Sequence, residues 1–224
     1  MDLSVLTVSG KTLGENLERV KVLDREVIRL LKGSIHEEGG IEVLRGNLAP
    51  VVAVVKQSGV KRKMMVNEGP ARVFHCMEDA GQCLMKGEVE KEDLIVLPYE
   101  GPKGGPGMRK MHMMTSVPVV LGLGEYCGFV IDGRFSRASR GSCIGRISPE
   151  AMEGGPIALV EDKDLNRVNI PRRDLTSEVG EEKLARRRKA FKLPRSKEAG
   201  VQGRYPPWAG SAAQGAVIGR ISQT

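Results

Sequence analysis

The residues of this 224-residue chain best suited to chemistry sit in glycine-rich turns. Ser136 lies in "DGRFSRASRGS" (132–142), held between Arg134 and Arg137. A serine among arginines can bind an anion through its hydroxyl and neighbouring amides. It can also accept a proton if nearby cations stabilise its alkoxide. A lone serine in a turn is equally an ordinary turn residue, and residue type alone does not choose. A second turn, "YEGPKGGPGMRKM" (99–111), directly follows the apolar run "LIVL" and carries Glu100 at its mouth. Glycine is used where the backbone takes positive φ or lets another group approach closely, so this loop is either plain surface or the wall of a pocket. A third turn is "RGNLAP" (45–50). In a barrel, turns of this kind at strand ends can converge on one rim and build a site there.

Several function classes find no support. Cys76, Cys83, Cys127 and Cys143 make no C-x-x-C pair, so neither a zinc ribbon nor an iron–sulfur run is read, and free thiols are expected. His36, His75 and His112 are too scattered for a metal site. No P-loop, no dinucleotide fingerprint in a βαβ context and no H-E-x-x-H are present. The net charge of +7 includes the basic stretch "RRRKAFKLPRSK" from Arg186 to Lys197. That stretch reads as the basic end of an amphipathic helix whose first turn is acidic, an order that suits the helix dipole, and nucleic acid is not the expected partner. No apolar run is long enough to span a bilayer and no signal peptide is read, so a cytoplasmic protein without membrane contact is expected.

The elements that would carry these turns are short. "SGKTLGENLERV" predicts a helix capped by Ser9 or Thr12. Strands are expected at Ile41–Leu44, Val51–Val55, Ala71–Phe74, Leu94–Leu97 and "CGFVI", the last ending in an Asp132-Gly133 turn. A helix from about Met77 would end at Gly87. Ser148 and Pro149 are expected as N-cap and first residue of another helix, followed by a strand at Ile157–Val160 and a short one in "NRVNIP". With 28 glycines and 4% aromatics, many turns and hairpin-like connections are expected, and the long βαβ units of a doubly wound sheet are not read. The fold class is α+β, a β-rich, barrel-like domain with peripheral short helices. Its core would cover about 1–172, with a basic helical arm and tail over about 173–224.

In this order, "TVSGKTLGENL", "GGIEVLRGNLAP", "GPARVF", "YEGPKGGPGM", "DGRFS" and "GRISPEAMEGGPIALVED" resemble the carboxy-terminal part of dihydroxy-acid dehydratases. The tail "LARRRKAFKLP…SAAQGAV" resembles that family's ending. The resemblance implies a swivelling β/β/α-type carboxy-terminal domain of a hydro-lyase that converts 2,3-dihydroxy-3-methyl acids to 2-keto acids in valine, leucine and isoleucine synthesis. Sugar-acid and phosphogluconate dehydratases are relatives, and a non-catalytic binding or assembly module is the alternative. It further implies an iron–sulfur cluster and Mg²⁺ held mainly by an amino-terminal domain absent from this sequence, with a homodimer as the full enzyme. Ser136 would take the proton from C2 while the 3-hydroxyl leaves on the cluster. Arg134, Glu100, Gly101, Gly104 and Gly105 would belong to the wall around the substrate.

The sequence departs from the family pattern at its turns. Where the family has "GMREM", with its glutamate on Mg²⁺, this chain has Lys110. Arg137 replaces a small residue after the serine, Arg146 stands at a usual histidine, and Val51-Val52 replaces a more polar pair. The cluster and Mg²⁺ are therefore expected not to bind this chain alone.

Overall fold

The computed structural model describes residues 2–105, 108–136, 139–194, 200 and 202–219. It divides into two units, 1–38 and 39–224. In the first, α1 (Leu13–Leu17) begins at Thr12, whose hydroxyl accepts the Glu15 N–H while the Glu15 carboxylate accepts the Thr12 N–H. This reciprocal capping box satisfies two otherwise orphaned donors and lets so short a helix form. None of residues 2–38 is buried.

The second unit is an eight-stranded mixed sheet: β1 (Glu42–Leu44), β2 (Val52–Val55), β3 (Val66–Val73), β4 (Leu94–Leu97), β5 (Gly128–Ile131), β6 (Cys143–Ser148), β7 (Leu165–Asn169) and β8 (Asp174–Ser177). Their order across the sheet is β1-β2-β6-β5-β4-β3-β7-β8. The two edges meet just beyond β1, where the Arg45 N–H donates to the Arg173 carbonyl and the Leu175 N–H to the Arg45 carbonyl, both at 2.9 Å. The result is the nearly closed barrel expected from the sequence.

The connections differ from the hairpins expected. Strands β3, β4, β5 and β6 run parallel, and α2 (Met77–Met85) and α3 (His112–Val120) lie in the β3–β4 and β4–β5 connections. Parallel pairing requires such crossovers. It also explains why "LIVL" and "GFVI" are apolar at every position. Leu94, Val96 and Val130 face the barrel core, while Ile95, Leu97, Phe129 and Ile131 pack in a second core with Leu84 of α2 and Met114 of α3. Strands buried on both faces read as continuous apolar runs.

Two further expectations are corrected. Ser148 does not cap a helix: it ends β6 opposite Val52, its carbonyl accepts the Val51 N–H, and the Ser148–Pro149 bond is cis. Ladder pairing takes this segment, and the 3-10 turn that follows starts only at Ala151. The run Ile157–Val160 is not a strand but most of a 3-10 turn, Pro156–Leu159. Ile157 and Leu159 are buried while Pro156 and Ala158 are half-buried, an alternation that a short 3-10 turn shares with a strand. The arm expected from about 173 begins with a strand, β8, before the basic helix α4 (Glu181–Ala190). Among the described residues, no helix is long and apolar enough to cross a membrane.

Candidate functional site

The C-terminal ends of β4 and β5 are neighbours, Leu97 opposite Ile131, so the loops leaving them are brought side by side. Asp132 ties them. Its fully buried carboxylate accepts the N–H groups of Tyr99 (3.0 Å), Glu100 (2.8 Å) and Ala151 (2.9 Å). Burial pushes its pKa up to about 6 against the pull of these amides. Asp132 was expected as a turn residue only; its role as a clamp between loops depends on partners distant in sequence.

The glycines of 99–105 let this loop fold onto itself. A Cβ on Gly104 would fall 2.2 Å from the Tyr99 carbonyl oxygen, and one on Gly105 would fall 2.9 Å from Glu100 Oε2. Gly101 and Gly105 are buried and Gly104 half-buried. Glu100 is only 2% exposed. Its Oε1 accepts the Met77 N–H at the start of α2 (3.2 Å) and Arg109 Nη2 (3.1 Å). Arg109 also forks onto Glu78 of α2. Oε2 of Glu100 has no partner among the described residues. Burial raises the Glu100 pKa, and the Arg109 guanidinium opposes that rise.

Ser136 opens instead onto a cavity of about 650 Å³ on the outer side of β2 and β6. Arg134, Lys56 and Arg146 line it, together with Ser139, and no acidic residue is among its described lining residues. Of the residues singled out in the sequence, Arg134 and Ser136 therefore share this cavity, whereas Glu100, Gly101, Gly104 and Gly105 do not line it. Arg134 is anchored by Nε, which donates to the Met108 carbonyl (2.7 Å). A single parallel bridge sets Lys110 beside it, exposed. Arg137 lies outside the described residues, as do Pro106 and Gly107 of the glycine loop. The turn 45–50 packs on β8, with the Leu48 N–H donating to the Leu175 carbonyl, and does not line the cavity.

Lys56 and Ser139 were missed in the sequence. The signal for Lys56 was the alternation of β2, since Val54 and Lys56, two apart, face the cavity while Ala53 and Val55 face the core. Arg146 reaches the cavity because β6 carries a bulge: Arg146 and Ile147 together oppose Ala53, between the pairs Gly145–Val54 and Ser148–Val52. Arg146 adopts φ +55°, and its N–H donates to the Gly133 carbonyl (2.7 Å). Bulges re-aim side chains in this way.

Among the described residues, no group of three or more His, Cys, Asp or Glu side chains is placed to hold an ion. Lys110, where the resemblance implies a Mg²⁺ ligand, offers an ammonium, and Mg²⁺ takes oxygen ligands. Cys83, Cys127 and Cys143 are buried and free, and burial raises their thiol pKa, to about 11 for Cys127 and about 12 for Cys143.

A family model for the dihydroxy-acid/6-phosphogluconate dehydratase C-terminal region matches residues 26–216. Dihydroxy-acid dehydratase of Methanosarcina barkeri is 49% identical over 97% of this chain and 40% of its own length. Those of Desulfatibacillum aliphaticivorans and Methanothermobacter thermautotrophicus are 47% and 46% identical, each over 95% of this chain. The chain spans about 40% of the length of the relatives it matches. The family model covers most of its length, and this chain belongs to the dihydroxy-acid/6-phosphogluconate dehydratase C-terminal family.

Proposed function

We propose that the chain is the carboxy-terminal portion of a dihydroxy-acid dehydratase, acting in branched-chain amino-acid synthesis in the cytoplasm, and that Ser136 Oγ accepts the proton from C2 of the substrate. The observation that carries this reading is the cavity in which Ser136 meets three cationic side chains and no described carboxylate. A serine hydroxyl becomes a base only where positive charge stabilises its alkoxide, and Lys56, Arg134 and Arg146 supply such charge. The same cations attract an acid substrate into the cavity. Asp132 and the packed glycines hold the two loops at fixed separation, so that Ser136 keeps its position.

The iron–sulfur cluster and Mg²⁺ implied by the resemblance belong, on this reading, to the portion of the relatives that this chain does not match, and that portion is its partner in a homodimeric enzyme. The unburied residues 2–38, with Leu23 and Leu31 almost fully exposed, are consistent with apolar surface awaiting such a partner.

The test is dehydration of 2,3-dihydroxyisovalerate by the chain mixed anaerobically with a cluster-loaded amino-terminal portion of a relative. Turnover is expected in the mixture, falling about 100-fold or more with Ser136→Ala. One observation favours a second reading, a non-catalytic binding module: Lys110 stands exposed beside Arg134, at the position where a Mg²⁺ ligand is implied. No turnover in the mixture, with turnover appearing for Lys110→Glu, would establish that reading.

A further inference from the structure

We infer that Arg146, on the β6 bulge, is the carboxylate-binding residue of the Ser136 cavity, and that this chain binds the acid group of its ligand without a divalent cation. The inference rests on the reading of that cavity as the substrate site and adds to it a residue and a mode of recognition.

Three observations converge. First, the bulge places a cation where a regular strand would not. Arg146 takes φ +55°, a conformation that favours glycine. A cavity-lining arginine held in such a backbone gains nothing in packing, since it is exposed. Its guanidinium also makes no hydrogen bond or ion pair with any described residue. The planar fork is the side chain that matches a carboxylate with two parallel hydrogen bonds.

Second, Ser139 is only 5% exposed and lines the cavity, yet its hydroxyl has no partner among the described residues. Ser136 Oγ is in the same condition. Buried hydroxyls are normally hydrogen-bonded, and two unpartnered ones on one wall point to an acceptor that comes from outside.

Third, the charged side chains among the cavity's described lining residues are all cationic. Among the described residues, the Arg134 guanidinium is engaged only through Nε, by the Met108 carbonyl, which keeps its terminal nitrogens available. In a concave site, cationic side chains raise the local concentration of small anions. Among the described residues no group of His, Cys, Asp or Glu is placed to hold Mg²⁺, and Lys110 stands at the implied ligand position, so on this inference the carboxylate meets Arg146 instead.

The test is titration calorimetry of the chain with 2,3-dihydroxyisovalerate in EDTA, then with Mg²⁺, and with the neutral methyl ester as control. Binding of the acid in EDTA is expected, unchanged by Mg²⁺ and at least about tenfold weaker for the ester, the loss of one charge-assisted pair. Arg146→Gly suits the positive φ and so preserves the bulge. It is expected to weaken the acid by about tenfold or more and leave the ester unchanged. Lys189→Ala, an exposed change on α4, controls for net charge and is expected to change neither.

Binding only with Mg²⁺, equal affinity for acid and ester, no binding of either, or an unaltered affinity in Arg146→Gly would each overturn the inference. The Ser136 reading is decided separately, by the turnover of the reconstituted mixture with and without Ser136→Ala.

Discussion

Replacing Arg109 by alanine probes how the glycine loop is held. Glu100 is 2% exposed, and its partners are the Met77 N–H and Arg109 Nη2. Removing the guanidinium leaves a buried carboxylate with one amide donor. A hydrogen bond to a charged group contributes about 1.5–3 kcal/mol. Because the Arg109 side chain is 44% exposed, solvent screens part of this, and a loss of about 2 kcal/mol is expected at pH 7.5. The pH dependence carries the sharper test. The Glu100 pKa already lies above its ordinary 4.5, first through burial, with Arg109 working against the rise. A raised carboxyl pKa means that the folded state holds its proton longer than the unfolded chain does. That contribution to stability is therefore full below pH 4.5 and is lost as pH rises through the folded pKa. Without Arg109 the folded pKa climbs further, so the variant's deficit should be large at pH 7.5 and shrink towards pH 4.5 as Glu100 takes up its proton. Urea unfolding followed by far-ultraviolet circular dichroism at pH 7.5, 6 and 4.5 measures this. A deficit that is the same at all three pH values, or below 0.5 kcal/mol at pH 7.5, would refute the idea that Arg109 acts by compensating a buried charge.

Other perturbations follow from the same geometry. Gly104→Ala puts a Cβ against the Tyr99 carbonyl oxygen; a loss of about 1–3 kcal/mol or more is expected in a thermal melt, with faster amide exchange at Tyr99 and Glu100. Arg187→Ala removes the guanidinium that joins α4 to Asp164 and to the Leu159 carbonyl. Burial acts against the Asp164 anion, but Arg187 and the Glu161 amide hold its pKa below the ordinary 3.8. This stability is present above pH 3.8 and lost as pH falls through the folded pKa. The variant should lose about 3 kcal/mol at neutral pH, show protease cleavage in α4, and lose less than the parent on further acidification. An α4 that stays protected would show that other contacts dock it.

The sequence by itself determined what local chemistry controls. The cap of α1, expected at Ser9 or Thr12 and formed by Thr12, the Gly87 stop of α2 and the apolar runs of β4 and β5 are written in neighbouring residues. Ser136 and Arg134 were legible as a pair because one turn carries both. Only the tertiary structure decided how strands pair, since a run buried on both faces carries no mark of its neighbour's direction. Strand β6 was hidden because glycine and an outward arginine interrupt "CIGRIS", and its bulge exists only against β2. The same holds for the site. Lys56 comes from just after β2, Arg146 from β6 and Ser136 from the loop after β5, and the barrel gathers them into one cavity. Asp132 looked like half of a turn because its three amide partners belong to Tyr99, Glu100 and Ala151. A carboxylate's function depends on which donors surround it, and here those donors arrive only when the sheet closes.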